Sequence, residues 1–410
     1  MHIISCEAHE IKDTRGRSTV EVELIANDGD VSRELRATAS VPSGKSTGKH
    51  EARELRDKDG DGVLEALTLL NGEIAQMVCS QEFLSLQELD NALIVLDGTP
   101  DKSRLGSNGI LAVSIASARL FASARNLSLW KYIAEETDST PRIPRLFANV
   151  INGGAHADFR LPFQEYMVVC GGGEQTAEQS FAVLSALYEE LRGVLVAECG
   201  EGNLPMGDEG GYSPTFSTVE RPFEILAKLI DGKPNLSLAI DAAASELAVK
   251  AKGVNIYKLL DKKYSRAELL ELYERLVKDF PLHSIEDPFA EDDLDGFRDI
   301  TAKLGMNTII VGDDLTVTNP SRIVQSAEDK LANAVIIKPN QIGTIGEVFD
   351  AVRVAREHEW KIIVSHRSGE TDDTFISDLA YGIGAHGIKA GGLAQKERLA
   401  KYQHLLEIEK

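Results

Sequence analysis

Six short apolar runs in the second half of the chain, each ending in a charged residue or a histidine, constrain the fold more than any other feature. They are Leu236–Asp241, His283–Glu286, Thr308–Asp313, Ala334–Lys338, Lys361–His366 and Ile388–Lys389. Runs rich in β-branched residues and apolar on both faces are typical of parallel strands. A barrel of parallel strands carries its functional side chains at the carboxyl ends of the strands. The series therefore predicts one rim that gathers three carboxylates, two lysines and a histidine.

The intervals between these runs favour a barrel over an open sheet. Each interval is long enough for about one strand-and-helix unit. Helical patterns fill the intervals after Glu246, Ser265, Asp293, Pro320, Ile345 and Thr371. Further strands are predicted at 146–151 and 163–169, and a long helix from Glu174 to Cys199. A doubly wound open sheet remains the alternative fold.

The first part of the chain predicts a separate α+β domain. Apolar and acidic residues alternate over Val20–Leu24, and Asn27–Gly29 is a turn sequence, so we expect an antiparallel sheet. Helical periodicity follows this sheet. The polar segment Glu136–Pro144 contains two prolines and is the predicted linker. We therefore divide the chain into an N-terminal domain of residues 1–138 and a barrel domain of residues 139–410.

Charge and cysteine content exclude several classes of protein. The formal net charge of −21 at pH 7 argues against a nucleic-acid partner or an anionic membrane surface, since both attract basic proteins. The four cysteines are scattered and form no C-x-x-C pair, which suits a reducing compartment. A signal-peptide pattern is absent, and no apolar stretch approaches the roughly 18 residues of a membrane span. We expect a soluble cytoplasmic protein.

Three acids at successive strand ends predict a metal site. Asp241, Glu286 and Asp313 offer only oxygen ligands, which Mg²⁺ and Mn²⁺ prefer. Zn²⁺ is less favoured, because no cysteine and a single histidine accompany them. A lone acid at such a position is more often a cap of the following helix, but three in series favour a metal.

The next two strand ends carry a candidate base and a candidate anion site. Lys338 follows an apolar strand, and burial beside cations lowers the pKa of a lysine enough for it to act as a general base. An ion pair between Lys338 and Asp313 is the alternative reading. Ser365–Ser368 combines an arginine with hydroxyl and backbone donors, a mixture that holds phosphate or carboxylate groups.

A series of stretches, spread over nearly the whole chain, occurs in the order found in one known family. The stretches are Val41–Gly48 with His50 and Glu51, Asn149–Gly154 with His156, Gln164–Glu165, Gly207–Gly211, Ser284–Asp293, Val311–Pro320, Ile337–Gly343, Val364–Thr371 and Ile388–Lys389. They resemble enolase. The resemblance implies an α/β fold: a modified (β/α)8 TIM-type barrel, whose early strands are not all parallel, with an N-terminal α+β capping domain. It also implies a Mg²⁺-dependent lyase that reversibly dehydrates 2-phosphoglycerate to phosphoenolpyruvate in glycolysis and gluconeogenesis.

The same resemblance implies roles for individual residues. Lys338 corresponds to the base that removes the C2 proton, and Glu209 to the acid that assists departure of the C3 hydroxyl. Two Mg²⁺ ions per active site are implied, with Mn²⁺ as a possible substitute; the matching ligands are Asp241, Glu286 and Asp313 for the first ion and Ser46 for the second. The matching substrate-binding residues are His156, Gln164, Glu165, His366, Arg367, Ser368 and Lys389. Glu209 would have to be protonated near neutral pH, through a neighbour such as Glu165.

The chain departs from the family pattern at four places, one of which is Gly391–Gln395, where the family has a segment that contains proline and arginine. Lys45 stands where the family has a small residue, and we expect its charge to weaken the second metal site. Phe159 and Arg160 replace a polar stretch after His156. The resemblance implies a homodimer or higher homo-oligomer, but Glu407 stands where the family has an arginine that faces an acid corresponding to Glu21. We therefore expect an altered interface through like-charge repulsion.

Two other functions remain open. Within the same superfamily, the alternative is an acid-sugar dehydratase or racemase, although such enzymes carry a base on an early strand and none stands at 163–169. From another class, the alternative is a scaffold captured at the cell surface through a terminal lysine, Lys410. A solvated chain end is the simpler explanation of that lysine.

Overall fold

The computed structural model describes residues 1–27, 33–45, 47–58, 60–173, 175–200, 202, 204–251 and 254–410. Ser46, the residue predicted to reach a second metal, lies outside these ranges. The same is true of Glu174, the predicted start of a helix, and of the last two residues of the predicted turn Asn27–Gly29.

An antiparallel sheet opens the chain, as the alternation of residues predicts. Its strands pair in chain order and are β1 (His2–Lys12), β2 (Ser18–Asn27) and β3 (Glu34–Ser40). Val20, Val22 and Leu24 are fully buried, because alternate side chains of β2 point to the same face of the sheet.

Helices follow this sheet along the chain, and the longest of them packs against two of its strands. They are α1 (Leu64–Leu69), α2 (Ala75–Cys79), α3 (Leu86–Asp97), α4 (Ser107–Ala124) and α5 (Leu129–Glu136). The π-helical segment Leu70–Ile74 joins α1 to α2. Nearly every residue of α4 is buried, because the helix carries small and apolar residues on all of its faces.

The described strands of the second part form a barrel and a small separate sheet. In chain order they are β4 (Arg145–Asn152), β5 (Glu165–Cys170), β6 (Leu236–Asp241), β7 (Ala248–Ala251), β8 (Val254–Leu259), β9 (Lys262–Tyr264), β10 (Leu282–Glu286), β11 (Ile309–Gly312), β12 (Ala334–Ile337), β13 (Lys361–Ser365) and β14 (Gly387–Gly391). β4 to β6 and β10 to β14 close the barrel. Its strand pairs are parallel, except that β5 runs antiparallel to β4 and β6. The modified barrel is confirmed, and the open sheet is excluded.

The helices of this part lie between its strands. They are α6 (Ala177–Cys199), α7 (Arg221–Ile230), α8 (Ala244–Leu247), α9 (Arg266–Asp279), α10 (Leu294–Leu304), α11 (Pro320–Glu328), α12 (Pro339–Ile342), α13 (Ile345–Glu357), α14 (Phe375–Gly382) and α15 (Lys396–Ile408). The helix predicted after Glu246 is wrong. The single turn of α8 ends at Leu247, and the antiparallel sheet β7-β8-β9 follows. Among the described helices, none has the length and apolar character that a membrane span requires.

Hydrogen bonds join the N-terminal part to the barrel. Ser43 and Gly369 exchange two backbone hydrogen bonds of 2.8 and 2.9 Å. The carboxylate of Asp90, on α3, accepts a 2.7 Å hydrogen bond from the backbone N–H of Gly346, in the first turn of α13. Complete burial raises the pKa of Asp90 to about 7. The loop that contains Ser43 is thereby held against the rim of the barrel.

Candidate active site

The carboxyl ends of the parallel strands bring the predicted side chains to one rim. Asp241 and Glu286 end neighbouring strands and are partners in register. Asp313 follows β11, Lys338 follows β12, and Lys389 lies within β14. All five side chains are buried or nearly so. The strand-end series of the sequence therefore forms one charged site.

The reversed strand supplies a residue from its beginning. Glu165 is the first residue of β5 and pairs in register with Asp241, the last residue of β6. Because β5 runs opposite to its neighbours, its start reaches the rim where the other strands end. Glu165 is 3 % exposed and lines the same cavity as the strand-end residues.

Lys389 links three of the rim carboxylates. Its Nζ lies 2.7 Å from Oε2 of Glu286, 2.9 Å from Oε2 of Glu165 and 3.6 Å from Oδ2 of Asp241. Burial alone would lower the pKa of Lys389, but the carboxylates of Glu165 and Glu286 outweigh burial and raise it well above the usual value. Lys389 is therefore a fixed positive charge.

Lys338 is paired with a predicted metal ligand. Its ammonium group contacts Oδ2 of Asp313, while Gln341 donates a 2.9 Å hydrogen bond to Oδ1 of the same carboxylate. Burial would lower the pKa of Lys338, but the charge of Asp313 outweighs burial and raises it. The expectation of a lowered pKa is therefore wrong for the structure described, which contains the ion pair that the sequence left open as an alternative.

Glu165 and Glu209 form a coupled carboxyl pair. Burial and the negative charge of Glu209 raise the pKa of Glu165 well above its usual value. Burial also raises the pKa of Glu209, but its interactions with His156 and with Glu165 outweigh burial and lower it well below the usual value. Asn149 donates a 2.9 Å hydrogen bond to Oε2 of Glu209. Within the pair, Glu165 therefore binds a proton more readily than Glu209, which is the reverse of the expected order.

The predicted anion site lies beside these groups. Arg367 and Ser368 are 4 % and 3 % exposed. Nη1 of Arg367 lies 2.9 Å from Oε2 of Glu51 and 3.0 Å from Oδ1 of Asn340. Oγ of Ser368 accepts a 2.8 Å hydrogen bond from the backbone N–H of Lys45. An anionic ligand at Arg367 would therefore compete with the carboxylate of Glu51.

Three loops close over the rim. The ammonium group of Lys45 lies 2.7 Å from Oδ2 of Asp208, and the backbone N–H of Asp208 donates to the carbonyl of His156 over 3.1 Å. The enclosed cavity measures about 30 Å³, which is room for about two water molecules. Its lining includes His156, Glu165, Glu209, Asp313, Lys338 and His366. The predicted loop residues and strand-end residues therefore meet in one small space.

The donor set of the rim fits a hard divalent cation. Burial raises the pKa of Glu286 well above its usual value, and the charges of Asp241 and Asp313 add to the effect, so these carboxylates repel one another where water is excluded. Amide oxygen is present as well, since Oε1 of Gln164 is buried without a hydrogen bond. A set of oxygen ligands that together carry excess negative charge suits Mg²⁺.

Two lysines contact the three predicted ligands. Among the described residues, the groups whose ligand atoms all lie within 4.8 Å of one another are His156 with Glu165 and Glu209, and Asp287 with Asp313 and Asp314. Asp241, Glu286 and Asp313 are not such a group; Lys389 contacts the first two, and Lys338 contacts Asp313.

The sequence analysis missed four residues that orient this site. Asn149 and Gln341 hold Glu209 and Asp313, and both stand in stretches that match the family, so they could have been singled out. Asp287 accepts hydrogen bonds from the backbone N–H groups of Asp313 and of the residue after it, at 2.9 and 2.8 Å. Arg398 contacts His366 from α15. A charged residue in an amphipathic helix gives no signal that it is buried.

Comparison with known proteins gives a consistent result over the whole chain. Residues 3–133 match the family model described as "Enolase, N-terminal domain", and residues 141–410 match "Enolase, C-terminal TIM barrel domain". A protein named "Enolase" from Ehrlichia chaffeensis is 42% identical over 413 residues, which cover 98% of this chain and 95% of that protein. One of the same name from Methanopyrus kandleri is 43% identical over 423 residues, covering 99% and 95%.

Proposed function

This chain belongs to the enolase family, and from that premise we propose how its residues divide the reversible dehydration of 2-phosphoglycerate to phosphoenolpyruvate. The reaction makes the protein a lyase, a phosphopyruvate hydratase of glycolysis that uses a divalent metal. One observation carries the division of roles: a lysine, Lys338, and two buried carboxyl groups, Glu165 and Glu209, line the same cavity.

Lys338 is the proposed base for the C2 proton. Asp241, Glu286 and Asp313 would hold one Mg²⁺ and Ser46 would reach a second, whose charges stabilise the enediolate when bound. With Asp313 holding Mg²⁺, the charge of this carboxylate would be shared with the ion and would raise the pKa of Lys338 less. Burial would then favour the neutral form that a general base needs. Lys389 stays protonated and offsets negative charge on the substrate.

Glu209 is the proposed acid for the C3 hydroxyl. Hydroxide is a poor leaving group, so its departure needs a proton. Glu165 binds a proton more readily than Glu209, and it would pass that proton to Glu209 within the pair. Asn149 keeps Glu209 in place through its 2.9 Å hydrogen bond.

Arg367 and Ser368 are the proposed anchors of the phosphate. The guanidinium and hydroxyl groups are buried and adjacent, and an arginine fork matches the geometry of phosphate oxygens. His156 and His366 border the same cavity and would exclude water from it, and Gln164 would contact the substrate beside Asp241. Binding would displace Glu51 from Arg367.

The decisive experiment is an absorbance assay of phosphoenolpyruvate formation from 2-phosphoglycerate during a Mg²⁺ titration. We expect saturable, metal-dependent turnover that Lys338→Ala lowers by roughly 10²- to 10⁴-fold, the usual contribution of a general base. Lys361→Ala is the matched control, since Lys361 is exposed at the amino end of β13. Substantial Mg²⁺-dependent turnover in Lys338→Ala would remove the proposed base. Turnover of an acid sugar but not of 2-phosphoglycerate would favour the other superfamily activity.

We further propose a cytoplasmic homo-oligomer with an altered interface. In the described structure Oε1 of Glu21 lies 3.0 Å from Nε2 of His9, and Oε2 of Glu407 lies 3.5 Å from Nδ1 of His404. If the two acids face each other between subunits, as the family pattern implies, they repel. Sedimentation equilibrium at low and high salt tests this, and a tight, salt-insensitive dimer would contradict it. The domain boundary at residue 138 stays a prediction.

A further inference from the structure

Arg398, in α15, is completely buried although it carries a permanent charge. Nε donates a 2.6 Å hydrogen bond to the side chain of Gln395. Nη2 donates to the carbonyls of Ser368 and Asp208, at 3.0 and 3.1 Å, and Nη1 donates to the carbonyl of Arg367 at 3.3 Å. The guanidinium therefore joins the loop after β13 to the loop that contains Asp208 and Glu209.

The remaining contact of Arg398 has a chemical consequence. Nη1 also contacts Nδ1 of His366. A guanidinium has donors only, and it stays protonated throughout the pH range of a folded protein. Nδ1 of His366 must therefore accept the hydrogen bond, so it carries no proton. In a neutral imidazole the single proton then lies on Nε2.

The surroundings of His366 keep its ring neutral. Burial lowers the pKa of the imidazole, and the positive charges of Arg398, Lys389 and Lys338 lower it further, against the opposite effect of Glu209. The ring is 3 % exposed. Nε2 is the nitrogen nearer to the carboxyl pair, at 3.8 Å from Oε1 of Glu209.

We propose that Arg398 is a positioning residue that fixes the tautomer of His366, so that the ring offers an Nε2–H donor to the cavity and cannot accept a proton there. This proposal adds a positioning residue to the proposed function. It rests on that function in one respect only, namely that the cavity is the substrate site. His366 then acts as a hydrogen-bond donor to Glu209 or to a substrate oxygen. It is excluded as a general base.

The local sequence is shaped around this guanidinium. Gly391 has a φ of +86°, and a Cβ there would lie 2.3 Å from Cδ of Arg398. Gln395 accepts from Arg398 through its oxygen and donates through its nitrogen to the carbonyl of Asp208 at 3.2 Å. A cationic side chain at position 395 would offer no such acceptor. The segment from Gly391 to Gln395 therefore leaves both the space and a partner that Arg398 needs.

The test reads the tautomer directly. The protein, which contains nine histidines, is labelled with ¹⁵N at histidine, and long-range ¹H–¹⁵N correlation spectra are recorded at pH 7.5 without substrate; His366→Gln assigns the signals. We expect a pyridine-type Nδ1 and a pyrrole-type Nε2 for His366. A pyrrole-type Nδ1, or a ring protonated on both nitrogens, would overturn the proposal.

Variants then connect the tautomer to activity. Arg398→Met removes the donor, and we expect mixed tautomers and a kcat lowered by roughly 10- to 100-fold, as when other groups that orient a functional histidine are lost, with a smaller change in KM. Arg398→Lys keeps a donor and should retain the tautomer with intermediate kcat. Gln395→Met removes another partner of the guanidinium and should leave the tautomer unchanged.

The outcomes separate this proposal from the assigned reaction. An unchanged tautomer with kcat within two-fold of the parent in Arg398→Met would overturn the role of Arg398. If Arg398→Met does not fold, the parent spectrum and Arg398→Lys still decide, since a shifted tautomer in the lysine variant contradicts the proposal. Absence of 2-phosphoglycerate turnover in the parent would instead refute the proposed function and leave the spectrum as the test of the tautomer.

Discussion

The two ends of the barrel bury polar groups in opposite ways. At the amino end, His283 and His386 share a 2.8 Å contact between their Nε2 atoms, and their rings stack at 5.1 Å with an interplanar angle of 6°. Phe147 lies 5.9 Å from the ring of His283. At the carboxyl end, two lysines are held among buried carboxylates. The two histidines at the amino end are uncharged and contact each other, whereas the lysines at the carboxyl end stay charged.

This difference separates stability from function. Burial lowers the pKa of His283 to about 4 and that of His386 to about 3, so both rings are neutral near neutral pH and need no counter-ion. Burial also favours the uncharged form of the groups at the carboxyl end, where it raises the pKa values of Glu165 and Glu286. Charges are nevertheless kept there at a cost in stability, as is usual at active sites.

The largest expected effect comes from neutralising a charge at the carboxyl end. In Glu209→Gln, the amide oxygen can still accept from Asn149, but the group can no longer carry the proton to the C3 hydroxyl. We expect kcat to fall by roughly 10²- to 10⁴-fold, the usual contribution of a general acid. The urea midpoint of unfolding should not decrease, because a buried charge is removed. Glu189→Gln, on the exposed face of α6, is the control. A variant that loses stability and keeps activity would reverse the comparison.

The amino end should respond in the opposite way. His386→Phe preserves an aromatic ring beside His283 but leaves its Nε2 without the 2.8 Å partner. We expect a loss of about 1 kcal/mol in the free energy of unfolding, typical of one lost hydrogen bond, since both rings are only partly buried. The value of kcat should stay within two-fold of the parent. A large fall in kcat with unchanged urea midpoint would show that the two ends are coupled.

The pH dependence of stability isolates the amino end. The folded pKa values of His283 and His386, about 4 and about 3, lie below the usual 6.5, so between these values the unfolded chain binds more protons than the folded one. The contribution of the pair is therefore complete above pH 6.5 and is lost as the pH falls toward 4 and 3. Urea unfolding from pH 7.5 to 4.5 should show a smaller decline in His386→Phe than in the parent. An equal decline, with His358→Gln as control, would assign the effect to other groups.

The smallest expected effect concerns the exposed ion pair above the carboxyl end. Lys45→Ala removes a cation whose side chain is 41 % exposed and which lies 2.7 Å from Asp208. We expect slightly tighter binding of the second Mg²⁺ in the variant. The gain should not exceed about 1 kcal/mol, because exposed ion pairs contribute little. Isothermal titration with Mg²⁺ measures the difference, and identical affinities would remove the idea.

The sequence predicts the parallel strands of the barrel better than it predicts the reversed strand β5 or the additional small sheet. The six apolar runs locate strands and rim residues together, because parallel strands place chemistry where apolar runs end. Glu165 breaks that rule, since its strand is reversed and only pairing with β6 reveals it. The sheet at 248–264 is missed because short amphipathic segments fit a helix or a strand equally well.

Contacts between distant side chains set the remaining features of the site. The raised pKa of Glu165 depends on burial and on Glu209, and the lowered pKa of Glu209 depends on His156, and these three residues belong to separate segments of the chain. The burial of Arg398 depends on packing of α15 against the loops that contain Asp208 and Ser368. No local pattern in the chain encodes either arrangement.

The small volume of the active-site cavity has a kinetic consequence. At about 30 Å³ the cavity leaves little room for a phosphorylated three-carbon acid, so binding would require the loops that contain Lys45, His156 and Asp208 to move apart. In a rapid-mixing experiment the observed association rate would then level off as ligand concentration rises. The plateau would give the opening rate of the loops, and opening rather than diffusion would limit how fast substrate is captured.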